Sequence, residues 1–423
     1  MSRFAKFSIM MVVVMMAALV VPVFAQDGPG YVTYNSYASD PEPRAFDEWV
    51  VANWNENNPE LPVQHSIITH EDFKQALRAY LTADPGPDVL TWFAGNRAQF
   101  FIDRGLIADF TETWAAEGWS DVYAPGFEAQ ARAGTEADYY FLPTDYYWWA
   151  VYYRPSLFEA AGVEAPIETW DDLLAACDAL NEAGTAPFTI GTRFRWTAAA
   201  WFDYLNMRVN GPEFHRDLML LKESYTDERV KDVFVKWAEL LEHECFIEDP
   251  AAYSWQEAVD FLANDSAAMY LMGGFIMDTF PDELEHDIDF FQFPMINDVP
   301  VGEDAPTDGY FLGANARNLE GGREFMAYLG SAEVQQARFD TLGRLPTRTD
   351  VDLSAADEAT VKGINLVQSA DLVLQFYDRD TTPPMADAGM DGFMEFWDDP
   401  EAIDDILEEL EAKRLELLEE ASE

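Results

Sequence analysis

Three segments of the 423-residue chain place flat aromatic rings beside planar polar side chains. They are WFAGNR at 92–97, DYYWW at 145–149 and RFRW at 193–196, and a charged DRD follows at 378–380. An aromatic face covers the apolar CH surface of a pyranose ring, while carboxylate and guanidinium groups bind its hydroxyls. A site of this kind rejects analogues that lack the hydroxyls, because its buried polar groups are then left unpaired. These residue types predict a site for a hydroxyl-rich ring.

Patterns typical of hydrolytic and metal-dependent enzymes are missing from the sequence. The chain has no G-x-S-x-G segment, and its five histidines show no H-E-x-x-H spacing. A glycosidase needs two carboxylates placed roughly 5–9.5 Å apart, and a chain with 78 acidic residues offers no specific pair. We therefore expect no catalytic residues, no metal and no cofactor, and we keep a secreted glycosidase only as a less favoured alternative.

Strand and helix patterns alternate along the chain. The sequence predicts strands at 31–34, 65–69, 87–92, 188–191 and 267–272, each a short apolar or β-branched run. Apolar residues at helical spacing predict helices at 44–58, 73–81, 170–182 and 403–410. This order predicts an α/β fold of parallel βαβ units with helices covering each sheet.

The N-terminus has the order of a secretory signal peptide. Arg3 and Lys6 precede the uncharged residues 9–25, and the run ends in Val-Phe-Ala before polar Gln26. Its length is at the short limit for a membrane span. We expect residues 1–25 to be cleaved and the protein to be periplasmic or extracellular. No cysteine lies near the predicted cleavage position, so we do not expect a lipid-anchored mature protein.

Charge and length limit the possible binding partners and the number of lobes. The net charge of −52 repels nucleic acid and anionic membranes and favours solubility. A saline habitat and a general bias of secreted proteins both explain this acidity. A chain of this length exceeds what one hydrophobic core usually supports, so we expect two lobes.

Cys177 and Cys245 are the two cysteines of the chain. The sequence is consistent both with a disulfide between them and with a pair of buried free thiols.

Several segments, in order and at similar spacing, resemble the extracellular solute-binding proteins of ABC importers, in the sugar-binding branch that includes maltose-binding protein. Any one of the segments is weakly specific, but together they span most of the chain. The segments are PDVL (87–90), GLIADFT (105–111), YYRPSLFEAAG (152–162), TWDDL (169–173), AMYLMGGF (268–275) and GRLPTR (343–348). Two positions depart from the family pattern: Arg154 replaces a usual asparagine and Phe275 a usual tryptophan.

The resemblance implies a two-lobed periplasmic-binding-protein-like fold of type II, each lobe a mostly parallel sheet flanked by helices. Lobe one would comprise 27–143 with 276–342, and lobe two 144–275 with 343–423. Three crossings near 143–146, 272–276 and 342–346 would form a hinge that closes on the ligand. The implied partners are a sugar and the membrane permease of an ABC transporter with its cytoplasmic ATPase. We expect a monomer that binds no nucleic acid.

Candidate ligand-binding residues lie where predicted strands end or where the chain crosses between lobes. Neighbouring residues of an extended segment point to opposite sides, so only one of Trp148 and Trp149 can face the cleft, and we select Trp148. Polyamine or other cation binding on the same fold is the alternative that the acidic composition supports. The candidates are Asn35, Ser36, Phe93, Gly95, Asp145, Trp148, Arg193, Trp196, Trp201, Gly274, Phe275, Tyr310, Asp378 and Asp380.

Overall fold

A computed structural model describes residues 30–422, which fold around two large β-sheets and one two-stranded sheet. The predicted signal peptide lies outside the described residues. Within 30–422, no helix is both long enough and apolar enough to cross a membrane. The α/β class predicted from the alternating pattern is confirmed.

The predicted strands and helices correspond to observed elements, with shifts of a few residues at most ends; the last helix, predicted at 403–410, continues to Glu420. The strands are β1 (Val32–Ser36), β2 (Val63–Ile67), β3 (Val89–Phe93), β4 (Ile107–Ala108), β5 (Leu142–Tyr146), β6 (Trp149–Tyr153), β7 (Ala186–Phe188), β8 (Ala267–Gly273), β9 (Asp289–Phe291), β10 (Gly302–Asp304), β11 (Thr307–Gly313), β12 (Leu345–Pro346) and β13 (Leu372–Leu374).

The helices cover both large sheets. They are α1 (Pro41–Asn57), α2 (His70–Thr82), α3 (Asn96–Ile102), α4 (Thr111–Ala116), α5 (Pro125–Arg132), α6 (Pro155–Ala161), α7 (Trp170–Ala183), α8 (Trp196–Asn210), α9 (Pro212–Met219), α10 (Glu228–Glu242), α11 (Trp255–Ala263), α12 (Leu319–Leu329), α13 (Ala332–Leu342), α14 (Glu358–Gln368), α15 (Tyr377–Asp380), α16 (Pro383–Asp398) and α17 (Ile403–Glu420). Short 3₁₀ helices span Trp119–Asp121, Pro250–Ala252, Gly274–Thr279, Asp282–Asp287 and Pro400–Ala402.

We call the part built on the first sheet the first lobe. Its strand order is β12-β5-β11-β3-β1-β2, and β4 also pairs with β11. Strands β1, β2 and β3 pair in parallel, whereas β11 runs antiparallel to both β3 and β5. The carboxyl ends of β1 and β3 therefore meet at one edge of this sheet.

The second lobe is built on the sheet β7-β8-β6-β9. Here β6 pairs antiparallel with both β8 and β9, and only β7 and β8 pair in parallel. The second sheet is thus mainly antiparallel rather than mostly parallel. Strand β6 lies between β8 and β9 and runs opposite to both, although several helices separate it from β8 in the sequence.

Strand pairing shows where the chain passes between the lobes. The first passage is the short Tyr147-Trp148 link between β5 and β6, close to the predicted crossing. The second differs from the prediction at 272–276, because β9 still pairs with β6 and the chain rejoins the first sheet only at β11. The third follows β12, which pairs with β5.

Helix α2 shows how local sequence orients side chains toward the space between the lobes. The Thr69 side chain caps the helix by accepting a hydrogen bond from the Asp72 backbone N–H at 3.3 Å. Phe73, Leu77 and Leu81 are buried on one stripe, and the remaining faces carry the polar residues, Lys74 among them.

Cys177 and Cys245 form a disulfide, with their Cα atoms 5.3 Å apart. The bond joins α7 to the segment after α10, and both residues are fully buried. It closes a separation of 68 residues within the second lobe, so it restricts the unfolded chain over a long loop.

Replacing both cysteines by alanine should lower the free energy of unfolding by about 2–4 kcal/mol, the usual contribution of such a bond. Urea denaturation followed by circular dichroism measures this loss. A reducing agent should weaken the parent protein by a similar amount and leave the double variant unchanged. Identical unfolding of the parent with and without reductant would show that the bond does not form.

Candidate functional site

A cavity of about 560 Å³ lies between the two lobes, within the size range of small-molecule sites. Residues of β3, β5, β11 and the loop after β1 form one side, and α8, α11 and α15 contribute to the other. Its aromatic lining comprises Tyr37, Phe46, Phe93, Tyr147, Trp149, Trp196, Trp255, Phe275, Tyr310 and Phe376. Its ion-paired lining comprises Lys74, Asp145, Asp278, Asp308, Arg338, Arg344, Asp378 and Arg379.

Asp145, at the end of β5, is paired through one oxygen. Its Oδ1 lies 3.0 Å from Arg338 Nη1 and accepts a hydrogen bond from Thr144 at 3.0 Å. Its Oδ2 accepts no hydrogen bond from any described residue and is not among the fully buried atoms. Burial raises the pKa of Asp145, and Arg338 offsets part of that shift. The open oxygen is thus a free acceptor at the cavity wall.

Asp308, on β11, has the same arrangement. Its Oδ1 accepts hydrogen bonds from Arg379 Nη1 at 2.9 Å and from the Tyr37 hydroxyl at 3.2 Å. Its Oδ2 accepts none from the described part of the chain. Arg379 also donates to the Tyr147 hydroxyl at 2.8 Å, so this network joins the loop after β1, β11, α15 and the first passage.

Asp378, on α15, is held by two cations. Its Oδ2 lies 3.1 Å from Lys74 Nζ and 2.9 Å from Arg97 Nη1. Burial alone would favour the neutral acid, but Lys74, Arg97 and Arg379 outweigh it and hold the pKa of Asp378 well below its usual range. No residue within 30–422 donates a hydrogen bond to Oδ1, which is open to the cavity.

These three carboxylates therefore share one pattern: one oxygen is neutralised by a basic group and the other is open. Asp278 pairs with Arg344 in the same way, at 2.5 Å. The acids and bases deep in the cavity largely cancel one another. Such a wall presents hydrogen-bond acceptors and donors without a large net charge.

Aromatic rings form a chamber beside these groups. Trp149 stacks on Phe376 at 4.8 Å, and Trp196 lies perpendicular to Trp149 at 6.2 Å. Phe275 contacts both tryptophans edge-on or tilted. The Trp149 indole N–H is buried and has no partner among the described residues, so it is a donor without an acceptor at this wall.

Six of the predicted residues line the cavity. They come from both lobes, and the structure brings them together although they span 286 positions of the sequence numbering, from 93 to 378. These residues are Phe93, Asp145, Trp196, Phe275, Tyr310 and Asp378.

Trp148, which we predict to face the cleft, lies elsewhere. It stacks on Phe290 at 5.7 Å and covers Gly363 and Gly274. Trp149 lines the cavity instead. The alternation of side chains along an extended segment correctly predicts that only one of the two tryptophans faces the cavity. Which one does so depends on the orientation of β6 in its sheet.

Three further candidates are occupied by protein contacts. Ser36 is fully buried and donates to Asp47 at 2.5 Å, while Asn35 is a paired position inside β1. Trp201 is packed in the core of the second lobe against Phe188 and Phe246. None of the three lines the cavity.

Arg193 and two glycines also lie outside the cavity lining. Arg193 pairs at the surface with Glu257 at 2.7 Å. Gly95 adopts φ +98°, and a Cβ there would lie 2.4 Å from the Arg379 carbonyl oxygen. The space that we expect a ligand to use at Gly95 is thus taken by the other lobe. Gly274 donates its backbone N–H to the Trp148 carbonyl.

Asp380 belongs to a buried acidic cluster of the second lobe rather than to the cavity lining. Burial raises the pKa of Asp380 to about 6 and lowers that of His215 to about 4. Asp203 Oδ1 lies 3.2 Å from His215 Nε2. Both carboxylate oxygens of Asp304 are buried and accept no hydrogen bond from residues 30–422. Burial, then the charges of Asp203, Asp380 and Glu303, raise the pKa of Asp304 well above its usual value.

Three basic lining residues are not among the predicted site residues. Lys74 and Arg338 are single basic residues on helices far from the aromatic segments, and Arg344 lies in the family-like segment GRLPTR, for which we predict no ligand contact. Only the fold places them against Asp378, Asp145 and Asp278. Among the described residues, no group of three His, Cys, Asp or Glu side chains is arranged to hold a metal ion.

The family model described as bacterial extracellular solute-binding protein matches residues 37–336. One relative, an uncharacterized ABC transporter extracellular-binding protein of Pyrococcus horikoshii, is 23% identical over 351 residues. That alignment covers 81% of this chain and 77% of the relative.

Solved structures of binding proteins share the fold. The bacterial solute receptor AcbH, described as preferring β-D-galactopyranose exclusively, is 28% identical with a TM-score of 0.85, covering 92% of this chain and 100% of the receptor. A chitin oligosaccharide binding protein has a TM-score of 0.82 at 18% identity, covering 91% of this chain and 98% of its own. The predicted two-lobed periplasmic-binding-protein-like fold is confirmed.

The buried acid Asp304 makes stability depend on pH. Because its pKa is raised on folding, the folded protein holds a proton that the unfolded chain releases above about pH 4. Stability should therefore fall as the pH rises from about 4 through the raised pKa. The Asp304→Asn variant has no proton to lose and so avoids this loss of stability. Its Tm at pH 8 should exceed that of the parent by about 1 °C, the effect of about 1 kcal/mol on a chain of this length.

Thermal unfolding at pH 5 and pH 8 measures this difference, which should shrink at the lower pH. Asp232→Asn, on an exposed face of α10, is the matched control and should shift Tm little at either pH. A Tm for Asp304→Asn below that of the parent at pH 8 would contradict a costly buried charge.

Proposed function

The chain belongs to the bacterial extracellular solute-binding protein family, and we propose that it captures a neutral sugar between its lobes for an ABC importer. The observation that carries this proposal is the trio Asp145, Asp308 and Asp378. Each is neutralised through one oxygen and open through the other. Open acceptors of this kind suit hydroxyl donors, and the chamber around Trp149 and Trp196 suits the CH face of a sugar ring.

The pairing also favours a neutral ligand over a polyamine. An ammonium group binds best to a carboxylate whose charge is unpaired, because desolvating both partners is otherwise poorly repaid. Each of the three deep carboxylates already faces a basic residue. Asp40, Glu42 and Asp260 line the mouth without an ion-pair partner in the described chain, so the wall that would suit a cation is outside the chamber.

The remaining steps of the proposal follow the family. The open form binds sugar, the lobes close, and the closed form docks on a membrane permease driven by a cytoplasmic ATPase. A partner that prefers the closed form couples capture to import. We propose that the protein works outside the cytoplasm as a monomer without catalytic activity, after removal of residues 1–25.

A thermal-shift screen tests the ligand class. Neutral mono-, di- and trisaccharides are compared with putrescine, spermidine and a uronic acid at equal concentration. At least one neutral sugar should raise Tm, since a ligand at 100 times its Kd stabilises by about 2.7 kcal/mol. Stabilisation by a polyamine and by no saccharide would favour cation binding, and sugar products released with turnover would favour a glycosidase.

Two tryptophans of α8 provide a matched pair of variants. Trp196→Leu removes a ring from the chamber and should weaken binding of the sugar found in the screen by at least about tenfold, or about 1.4 kcal/mol. Trp201→Leu removes a core ring five residues away, so it should lower Tm and leave the affinity nearly unchanged. Isothermal titration calorimetry measures both affinities, and equal losses in the two variants would remove Trp196 from the binding site.

A further inference from the structure

Four acidic residues of the second lobe lie on or beside α15, and none of them lines the cavity. We define the acid cluster as Asp203, Glu303, Asp304 and Asp380, of which the first three are fully buried. The guanidinium of Arg208, also fully buried, forms its ion pair with Glu303 and gives its other hydrogen bonds to backbone carbonyl groups. Arg208 is therefore committed to one of the four acids.

His215, which contacts the cluster, does not supply a second positive charge. The Asn206 amide nitrogen lies 2.9 Å from His215 Nδ1, and the Asn206 amide oxygen accepts a hydrogen bond from Asn210 at 2.8 Å. Asn206 thus donates to Nδ1, so the ring is neutral and carries its hydrogen on Nε2, 3.2 Å from Asp203 Oδ1. The pKa of His215, which burial lowers to about 4, agrees with this form.

Two acids of the cluster hold the backbone of the cavity turn, which we define as residues 375–380. Asp203 Oδ2 accepts a hydrogen bond from the Tyr377 backbone N–H at 2.7 Å, and Asp380 Oδ2 accepts one from the Gln375 backbone N–H at 3.0 Å. The other side chains of the same turn reach the cavity, namely Phe376, Asp378 and Arg379. The acid cluster therefore supports a wall of the site from behind.

Asp304 lies beside the cavity turn but receives no donor. Its backbone pairs with Leu374, the residue before the turn. Both of its carboxylate oxygens are buried and accept no hydrogen bond from residues 30–422. Burial, and after it the charge of Asp203, raises the pKa of Asp304. Of two interacting acids, the one without donors keeps the proton, so Asp203 is the anion and Asp304 the neutral acid.

The titratable and charged groups around Asp304 come from its own strand and from three helices. Glu303 precedes it on β10, and β13 carries no such group. The helices contribute Asp203, Tyr204 and Arg208 from α8, His215 from α9, and Asp378, Arg379 and Asp380 from α15. Ionisation of Asp304 would place another anion against Asp203 and Asp380, where burial leaves little water to screen it. Movement of the cavity turn would relieve that repulsion.

We propose that the acid cluster supports the cavity turn under the control of one proton: sugar binds to the arrangement in which Asp304 is protonated, and loss of that proton weakens binding. Asp203 and Asp304 are then positioning residues, since neither lines the cavity. This inference rests on the proposed function in taking a sugar as the ligand. Because linkage is reciprocal, sugar binding must in turn strengthen the hold of the protein on the proton.

The range from pH 7 to pH 9 separates Asp304 from other titrating groups near the site. Burial lowers the pKa of His70 and raises the pKa of Tyr37 and of Tyr147, so these three lining side chains stay neutral throughout. Asp380, whose pKa burial raises to about 6, is already ionised. A pH effect that disappears in Asp304→Asn within this range therefore belongs to Asp304.

Infrared spectroscopy of the ligand-free protein tests the proton. The C=O stretching band of a protonated carboxyl is separate from the carboxylate bands, so the difference spectrum between the parent and Asp304→Asn isolates this side chain. At pH 7 it should contain the protonated band, and the intensity should fall as the pH rises to 9. A difference spectrum with only carboxylate bands at pH 7 would overturn the proposal.

Isothermal titration calorimetry tests the link to the cavity, with the neutral sugar that gives the largest Tm shift in the thermal-shift screen. For the parent, the Kd should be at least about threefold higher at pH 9 than at pH 7, within the limit of about tenfold per pH unit for one linked proton. Titrations in two buffers of different ionisation enthalpy should show proton uptake on binding at pH 9. Asp304→Asn should bind with nearly the same Kd at both pH values and without this uptake.

Asp232→Asn, on an exposed face of α10, is the matched control and should keep the pH dependence of the parent. A parent Kd that is equal at the two pH values, or a Kd that rises as much in Asp304→Asn, would refute control of binding by Asp304. If Asp304→Asn fails to fold, Asp304→Leu, which also carries no proton, takes its place. If no sugar binds, the proposed function fails and the link to binding fails with it, whereas the infrared band shows separately whether Asp304 holds the proton.

Discussion

Burying carboxylates in a cavity that must also hold a polar ligand is the constraint on which the rest of this structure depends. Asp145, Asp308 and Asp378 meet it by giving one oxygen to a basic residue and keeping the other open. Each basic partner comes from a different element, namely α13, α15, and the α2–α3 pair. The sheets and helices must therefore be held in one arrangement for the site to exist at all.

The aromatic chamber depends on the same arrangement. Trp149 begins β6 directly after the first passage, and Trp196 begins α8, which packs on β8 of the second sheet. Their rings meet Phe275 and Phe376 from two further segments. Flat apolar faces next to open oxygens form a surface that matches a ring with hydroxyls on its edge.

Much of the fold could be predicted from local pattern. Short apolar runs located β1, β2, β3 and β8 to within a few residues. The mainly antiparallel second sheet and the late return of the chain at β11 were not predictable. Both depend on which strands pair, and pairing is decided between segments more than a hundred residues apart.

For the site, the sequence by itself determined the chemistry of the residues: aromatic rings, carboxylates and guanidinium groups after predicted strands. Only the tertiary structure decided which of them meet. In the folded protein the Trp149 side chain lines the chamber and that of Trp148 does not. The Arg379 backbone fills the space next to Gly95, and Lys74 forms an ion pair with Asp378. The physical reason is that side-chain type and period are local properties, whereas burial and ion pairing are set by distances between elements that no local pattern encodes.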